Sequence, residues 1–141
     1  MAITALDEAT LAKLETSALA AMKMAYNPYS KFGVGAALLT EEGLIFSGCN
    51  VENAAYGHSI CAERTALLKA VSEGHRKFAA IVIVCSSGKP VAPCGACRQT
   101  LNEFAPDLPV VMAGSQKKIT QSLRELLPRS FGPEDLPDSP E

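Results

Sequence analysis

The sequence predicts an α/β fold of three layers, with helices on both faces of a mixed central sheet of about five strands. Three features carry this. Segments with helical and strand periods alternate along the 141 residues in the order α-β-β-α-β-α-β. Residues 79–85 are a continuous apolar run with Ile81-Val82-Ile83-Val84 at its centre, which suits a strand buried on both faces. Residues 34–40 and 44–49 are strand-like and flank the turn Glu41-Glu42-Gly43, so an antiparallel hairpin joins the sheet.

In chain order, residues 5–25 carry Leu11, Leu14, Ala18, Leu19, Met22 and Ala25 at mostly three- and four-residue spacing, the mark of an amphipathic helix. Asp7 or Thr10 caps its start. Asn27-Pro28 ends it, because the residue before a proline resists helical geometry. The hairpin follows, then an irregular stretch over 50–59. A second helix spans 61–73 and is closed by Gly74. After the central strand come a short helix over 95–104 and a buried strand over 108–113. A further strand or turn is expected near Ile119, and a short helix over 122–127 precedes a proline-rich tail. No repeat or linker divides the chain. We therefore expect a single domain over residues 1–134 and a flexible tail over 135–141, which has little to bury.

Composition narrows the function. Apolar residues make up 48% and charged residues 20%, an ordinary globular balance with enough apolar surface for a core. A net charge of −2 argues against a nucleic-acid-binding surface, which needs a basic excess. No run of about 18 apolar residues offers a membrane span. Residues 1–7 lack the basic start and apolar core of a secretion signal, so a cytoplasmic location is expected. In that compartment thiols stay reduced, and the five cysteines point to metal or catalysis rather than disulfides.

Their pattern is specific. Cys61-Ala62-Glu63 is followed by Pro93-Cys94-Gly95-Ala96-Cys97. Three thiolates can close three corners of a tetrahedral zinc site and leave the fourth open to water, the mark of a catalytic rather than a structural site. Cys94 and Cys97, three apart in a first helical turn, share a face. Cys61 and Glu63, two apart, diverge within a regular helix, so Cys61 should precede the helix for both to reach one cavity. Three thiolates also leave the zinc with net negative charge, which makes it a weaker acid for water. Two helix N-termini would offset part of this. Arg64, donating hydrogen bonds to thiolate sulfur, would offset more. Glu63 suits a proton carrier beside the metal. One His or Cys plus a PCxxC pair, with a glutamate that is not a ligand, is the pattern of zinc deaminases.

Spacing alone leaves other readings open. A structural zinc knot could recruit His58, His75, Cys49 or Cys85 as a fourth ligand, and Cys94-x-x-Cys97 could be a redox pair. Phe32 could be core, Phe131 a tail anchor, and Asn50 with Glu52 a turn brace.

Read together with their neighbours, these residues resemble cytidine deaminase of the small homotetrameric, three-cysteine type. The resemblance runs through Tyr26-Asn27-Pro28-Tyr29-Ser30-Lys31-Phe32, Val34-Gly35-Ala36-Ala37 and Gly48-Cys49-Asn50-Val51-Glu52-Asn53-Ala54. It continues through Cys61-Ala62-Glu63-Arg64-Thr65-Ala66, Pro93-Cys94-Gly95-Ala96-Cys97-Arg98-Gln99, Leu126-Leu127-Pro128 and Phe131-Gly132-Pro133. It implies a cytidine deaminase-like fold and one zinc per subunit on Cys61, Cys94 and Cys97, with Glu63 as the proton shuttle. Asn50 and Glu52 would bind the ribose hydroxyls, Phe32 would pack on the pyrimidine, and the Ala62 backbone would help fix the base. Tyr56 matches an active-site tyrosine of a site shared between subunits. Phe131 would reach the base in a neighbour's pocket. The implied reaction is hydrolysis of cytidine and deoxycytidine at C4, giving uridine or deoxyuridine and ammonia, a step of pyrimidine salvage. A deaminase acting on DNA or RNA would share the zinc chemistry but need a basic groove and stacking aromatics. Residues 57–60 and the tail beyond Leu136 match no pattern.

Overall fold

The computed structural model of the chain describes residues 6–137. Asp7 starts the first helix, α1 (Glu8–Met22), by accepting the Thr10 N–H at 2.8 Å, so Thr10 is the donor to the cap and not the cap. The helix stops at Met22, short of the expected residue 25, and residue 5 lies outside the described residues. The cause of the early stop is tertiary. The Tyr26 N–H donates to the Asn50 carbonyl at 3.0 Å and the Glu52 N–H to the Tyr26 carbonyl at 2.8 Å, drawing the chain away before Pro28 acts.

The hairpin forms as expected from β1 (Val34–Thr40) and β2 (Ile45–Cys49), with Gly43 in its turn at φ 99°, a conformation glycine adopts without strain. The buried central strand is β3 (Phe78–Cys85), parallel to β4 (Pro109–Ala113). The segment near Ile119 is a strand, β5 (Lys118–Ser122), antiparallel to β4 and largely exposed at the sheet edge. Strand order is β2-β1-β3-β4-β5, with only the β3–β4 pair parallel.

Alternation along the strands sorts side chains onto two faces. Ala36, Leu38, Ile81, Ile83, Val110 and Met112 pack under α2 (Ala62–Ser72) and α3 (Gly95–Asn102), against Ala66, Leu67, Ala70 and Leu101. Ala37, Ala80, Val82, Val84 and Val111 pack under α1, against Leu14 and Ala18. This is the expected three-layer arrangement. A capping box between Ser122 and Glu125 opens the short α4 (Leu123–Leu126), which makes Ser122 the cap rather than a helical residue.

Two glycines let helices rest on bare sheet backbone. A β-carbon at Gly35 would lie 2.0 Å from the Ala18 carbonyl oxygen, and one at Gly48 would lie 2.6 Å from the Ala66 nitrogen. Gly48 thereby seats the first turns of α2, where Glu63 and Arg64 are. The turn Pro133–Asp135 is pinned by the Gly132 N–H donating to Asp135 Oδ2 at 2.9 Å and straddles the expected boundary between domain and tail. Residues 138–141 of that tail lie outside the described residues. Among the described residues, no helix is long and apolar enough to cross a membrane.

Candidate active site

Two helix starts build the candidate metal centre. Cys61 is the extended residue immediately before α2 (φ −74°, ψ 157°), and Cys94 holds the same place before α3 (φ −68°, ψ 168°). Neither side chain caps its helix, so both sulfurs are left for other partners. Cys97, in the first turn of α3, is buried and faces them. The Cys61 and Cys94 sulfurs are 3.6 Å apart, those of Cys94 and Cys97 3.4 Å, and all three lie within 4.8 Å of one another. Zinc–sulfur bonds of about 2.3 Å at tetrahedral angles put sulfurs about 3.8 Å apart. Three soft donors at this spacing fit zinc, and among the described residues only these three converge. His75 instead faces Glu42 at 3.4 Å, and Cys85 lies 3.0 Å from the Ser87 hydroxyl.

Electrostatics favour an anionic Cys61. The unpaired first-turn N–H groups of α2 and α3 place partial positive charge at the cluster. Hydrogen bonding from Cys97, then from Arg64 and Cys94, holds the Cys61 thiol down at about 5. Cys97, buried beside that thiolate, is pushed up. Arg64 donates from Nη2 to the Cys61 sulfur at 3.7 Å, and its Nε is buried without an acceptor among the described residues.

Glu63 is only 4% exposed, on the first turn of α2 beside the sulfurs. Burial pushes its carboxyl up to about 7, against the pull of its own backbone N–H, and the negative Cys61 adds to the rise. A carboxyl with that value can hold or release a proton near neutral pH.

A second set of residues lies alongside. The paired N–H and carbonyl groups of Val51 and Ile60, both bonds 2.9 Å, run the Asn50–Glu52 stretch beside the chain entering Cys61. Glu52 accepts from the backbone N–H groups of Tyr29 (3.0 Å) and Ser30 (3.1 Å) and from the Ser30 hydroxyl. These bonds, the hydroxyl foremost, hold its carboxyl below the usual range. Asn50 accepts from the Val34 N–H at 2.8 Å and donates to the Phe32 carbonyl at 2.9 Å. Both side chains thus brace the chain around Phe32, which includes Lys31 in the left-handed region at φ 62°. Tyr29, Ser30, Glu52, Tyr56 and Ser59 line a cavity of about 320 Å³. Tyr29, Ser30 and Ser59 were not singled out as site residues, although Tyr29-Ser30 lies inside the block that ends at Phe32. Phe131 is not part of this lining. Its carbonyl accepts from Gln99 Nε2 (2.9 Å) and Asn102 Nδ2 (3.3 Å), and its residue surface is 57% exposed.

Three cysteine sulfurs placed to hold a metal ion, a buried carboxyl beside them and a three-layer α/β scaffold match the zinc-dependent hydrolases of the deaminase class. Comparison with known proteins agrees. Residues 9–113 match the model of the cytidine and deoxycytidylate deaminase zinc-binding region. The chain is 49% identical to the cytidine deaminase of Sporosarcina psychrophila over 126 residues, covering 88% of this chain and 93% of that one. It is 50% identical to the cytidine deaminase of Halalkalibacterium halodurans over 123 residues, covering 86% and 93%. The crystal structure of cytidine deaminase from Burkholderia pseudomallei superposes with a TM-score of 0.82 at 50% identity, over 85% of this chain and 98% of that one. The chain belongs to the cytidine and deoxycytidylate deaminase zinc-binding family.

Proposed function

We propose that this protein is an enzyme that hydrolyses cytidine and deoxycytidine to uridine and deoxyuridine with release of ammonia. The observation that carries this is the convergence of the Cys61, Cys94 and Cys97 sulfurs beside the buried carboxyl of Glu63. Cys61, Cys94 and Cys97 would hold zinc, which would supply Lewis acidity and lower the pKa of water.

The remaining work falls to the chain. Addition of water at C4 of the base drives electrons onto N3, and departure of ammonia needs a proton on the exocyclic nitrogen. Glu63 takes a proton from the attacking water and delivers it to N3, then carries the second to the leaving amino group. Arg64 offsets negative charge at the sulfurs, its Nη2 on Cys61 and its Nε free for a second sulfur. The first-turn N–H of Ala62 has no intrahelical acceptor, and the Ala62 backbone helps fix the base in this reading. Phe32 packs on the pyrimidine, and Tyr56, exposed at the rim of the neighbouring cavity, serves a site shared between subunits.

Asn50 and Glu52 bind the sugar hydroxyls while bracing the Phe32 segment. Each retains capacity for this, since an amide offers four hydrogen-bonding positions and a carboxylate about four acceptor sites. The Glu52 charge also disfavours a phosphate near the sugar, so the reading is of free nucleosides in pyrimidine salvage, in the cytoplasm. Tyr26, Val51, Tyr56 and Phe131 present exposed apolar surface. Homotetramer formation would cover it and let Phe131 complete a neighbour's pocket. Residues 1–134 form one deaminase domain in this reading, with one zinc per chain.

The test is an absorbance assay with cytidine, deoxycytidine, cytosine and a cytidine nucleotide in parallel. Turnover of both nucleosides with rejection of the nucleotide is expected. Turnover of none, or of the nucleotide alone, overturns the reading.

A further inference from the structure

Of the three sulfurs, Cys94 has the least support. Cys97 is buried in α3 and Cys61 is bonded by Arg64, whereas Cys94 is exposed, precedes its helix and follows the irregular loop 86–93. One residue grips that loop from both sides. The Arg98 backbone N–H donates to the Cys94 carbonyl at 3.0 Å, and its side-chain Nε donates to the carbonyl of buried Pro93 at 2.7 Å. The same guanidinium extends Nη1 to the Leu126 carbonyl at 2.7 Å, one of the last-turn acceptors of α4.

Two further residues of α3, Gln99 and Asn102, hold the Phe131 carbonyl. The helix that carries two metal ligands at its start is therefore bolted along its flank to the segment from Leu126 to Phe131. A rigid planar fork can serve two carbonyls on separate segments at once; an ammonium is a point charge and cannot hold both in this geometry.

We infer that Arg98 is a positioning residue for the metal centre: it clamps the Cys94 loop to the C-terminal segment and so keeps the exposed thiolate at ligand distance. This rests on the zinc reading above but not on the choice of substrate. Partners of this kind typically change metal affinity by about 10- to 100-fold when removed. Thermodynamic reciprocity adds a corollary: zinc on Cys94 steadies the Leu126–Phe131 segment as much as that segment steadies zinc.

The experiment follows zinc release from the loaded protein into excess chromogenic chelator, without nucleoside. Arg98→Met keeps the aliphatic stem and removes both side-chain bonds; it should release zinc about tenfold faster or more. Val84→Ala, which loosens the opposite face of the sheet under α1, serves as a control for general destabilisation. Release from Arg98→Met no faster than from wild type, or no faster than from Val84→Ala at the same interval below the thermal midpoint, overturns the inference. Should Arg98→Met fail to fold, Arg98→Lys reads the same rate and should still exceed wild type; a wild-type rate overturns the inference here too. Hydrogen exchange supplies the reciprocal readout, with faster exchange at 126–131 expected after chelation of the wild type and unchanged exchange counting against the clamp. A wild-type protein that holds no zinc overturns the metal reading itself, a result distinct from either rate.

Discussion

Gly48 and Ala66 are in backbone contact: a β-carbon on the first would stand 2.6 Å from the nitrogen of the second and 2.8 Å from the Ala62 carbonyl oxygen. The start of α2 is therefore set by the sheet surface itself, with no side chain between to absorb an error. Gly48→Ala should push α2 outward, lowering stability by about 1–3 kcal/mol through overpacking. It should also weaken zinc retention, because Cys61 moves with the helix. Thermal unfolding and metal analysis check this, and a variant with wild-type stability and zinc content would show that the seat is slack.

Glu63→Gln should keep fold and zinc but lower kcat by at least about two orders of magnitude, the usual scale for a removed proton carrier. Its stability should not fall, since a buried carboxyl is exchanged for an uncharged isostere. Substantial cytidine turnover by a zinc-replete variant would remove Glu63 from the proton path.

Glu52 gives a pH signature separate from the metal. Its folded-state pKa lies below the ordinary 4.5, because Ser30 and Tyr29 donate to its ionised form. The native protein therefore gains stability from it above that ordinary value and loses the gain as pH falls through the lower folded one. Glu52→Gln should flatten this part of the acid limb in unfolding midpoint against pH. An unaltered acid limb would show that the carboxylate is not stabilised in solution.

Cys94→Ser should lower bound zinc well below the wild-type stoichiometry and lower the thermal midpoint with it, because metal affinity is also folding free energy. A zinc-replete variant would contradict its proposed place among the ligands.

Phe131 is proposed to serve a neighbouring subunit, and subunit mixing reads this directly. Phe131→Ala should raise KM, while Glu63→Gln should lower kcat by the at least about two orders of magnitude expected above. Refolded together, the two should form hybrids in which an intact Phe131 from one subunit reaches an intact Glu63 in another. Activity above the sum of the separate parents is the expected result, and a simple sum would confine Phe131 to its own chain.

Local sequence pattern made much of the fold legible. The alternation in β3 and β4 fixes two buried faces, and the run Ile81–Val84 is recognisably central. Boundaries set by distant partners were not legible: α1 ends at Met22 because Tyr26 pairs with Asn50, twenty-four residues on. The exposed β5 has no buried face to announce it, only a register against β4. In the site, the sulfur spacing was readable because helix starts impose it. The bracing of Phe32 by Asn50 was not, since those residues lie eighteen positions apart. Arg98 adjoins Cys97 in sequence, yet its Leu126 partner is twenty-eight residues away.

Both metal-bearing helices begin at a cysteine in the place where serine or aspartate would ordinarily close the first turn, and neither cysteine does so. Zinc held by the proposed ligands would therefore organise two helix starts that the chain leaves unfinished. Cellular abundance of the protein should then follow the zinc supply, as chains short of metal are withdrawn by proteolysis rather than persisting as idle copies. Scarcity would thin the population while leaving each surviving molecule fully competent.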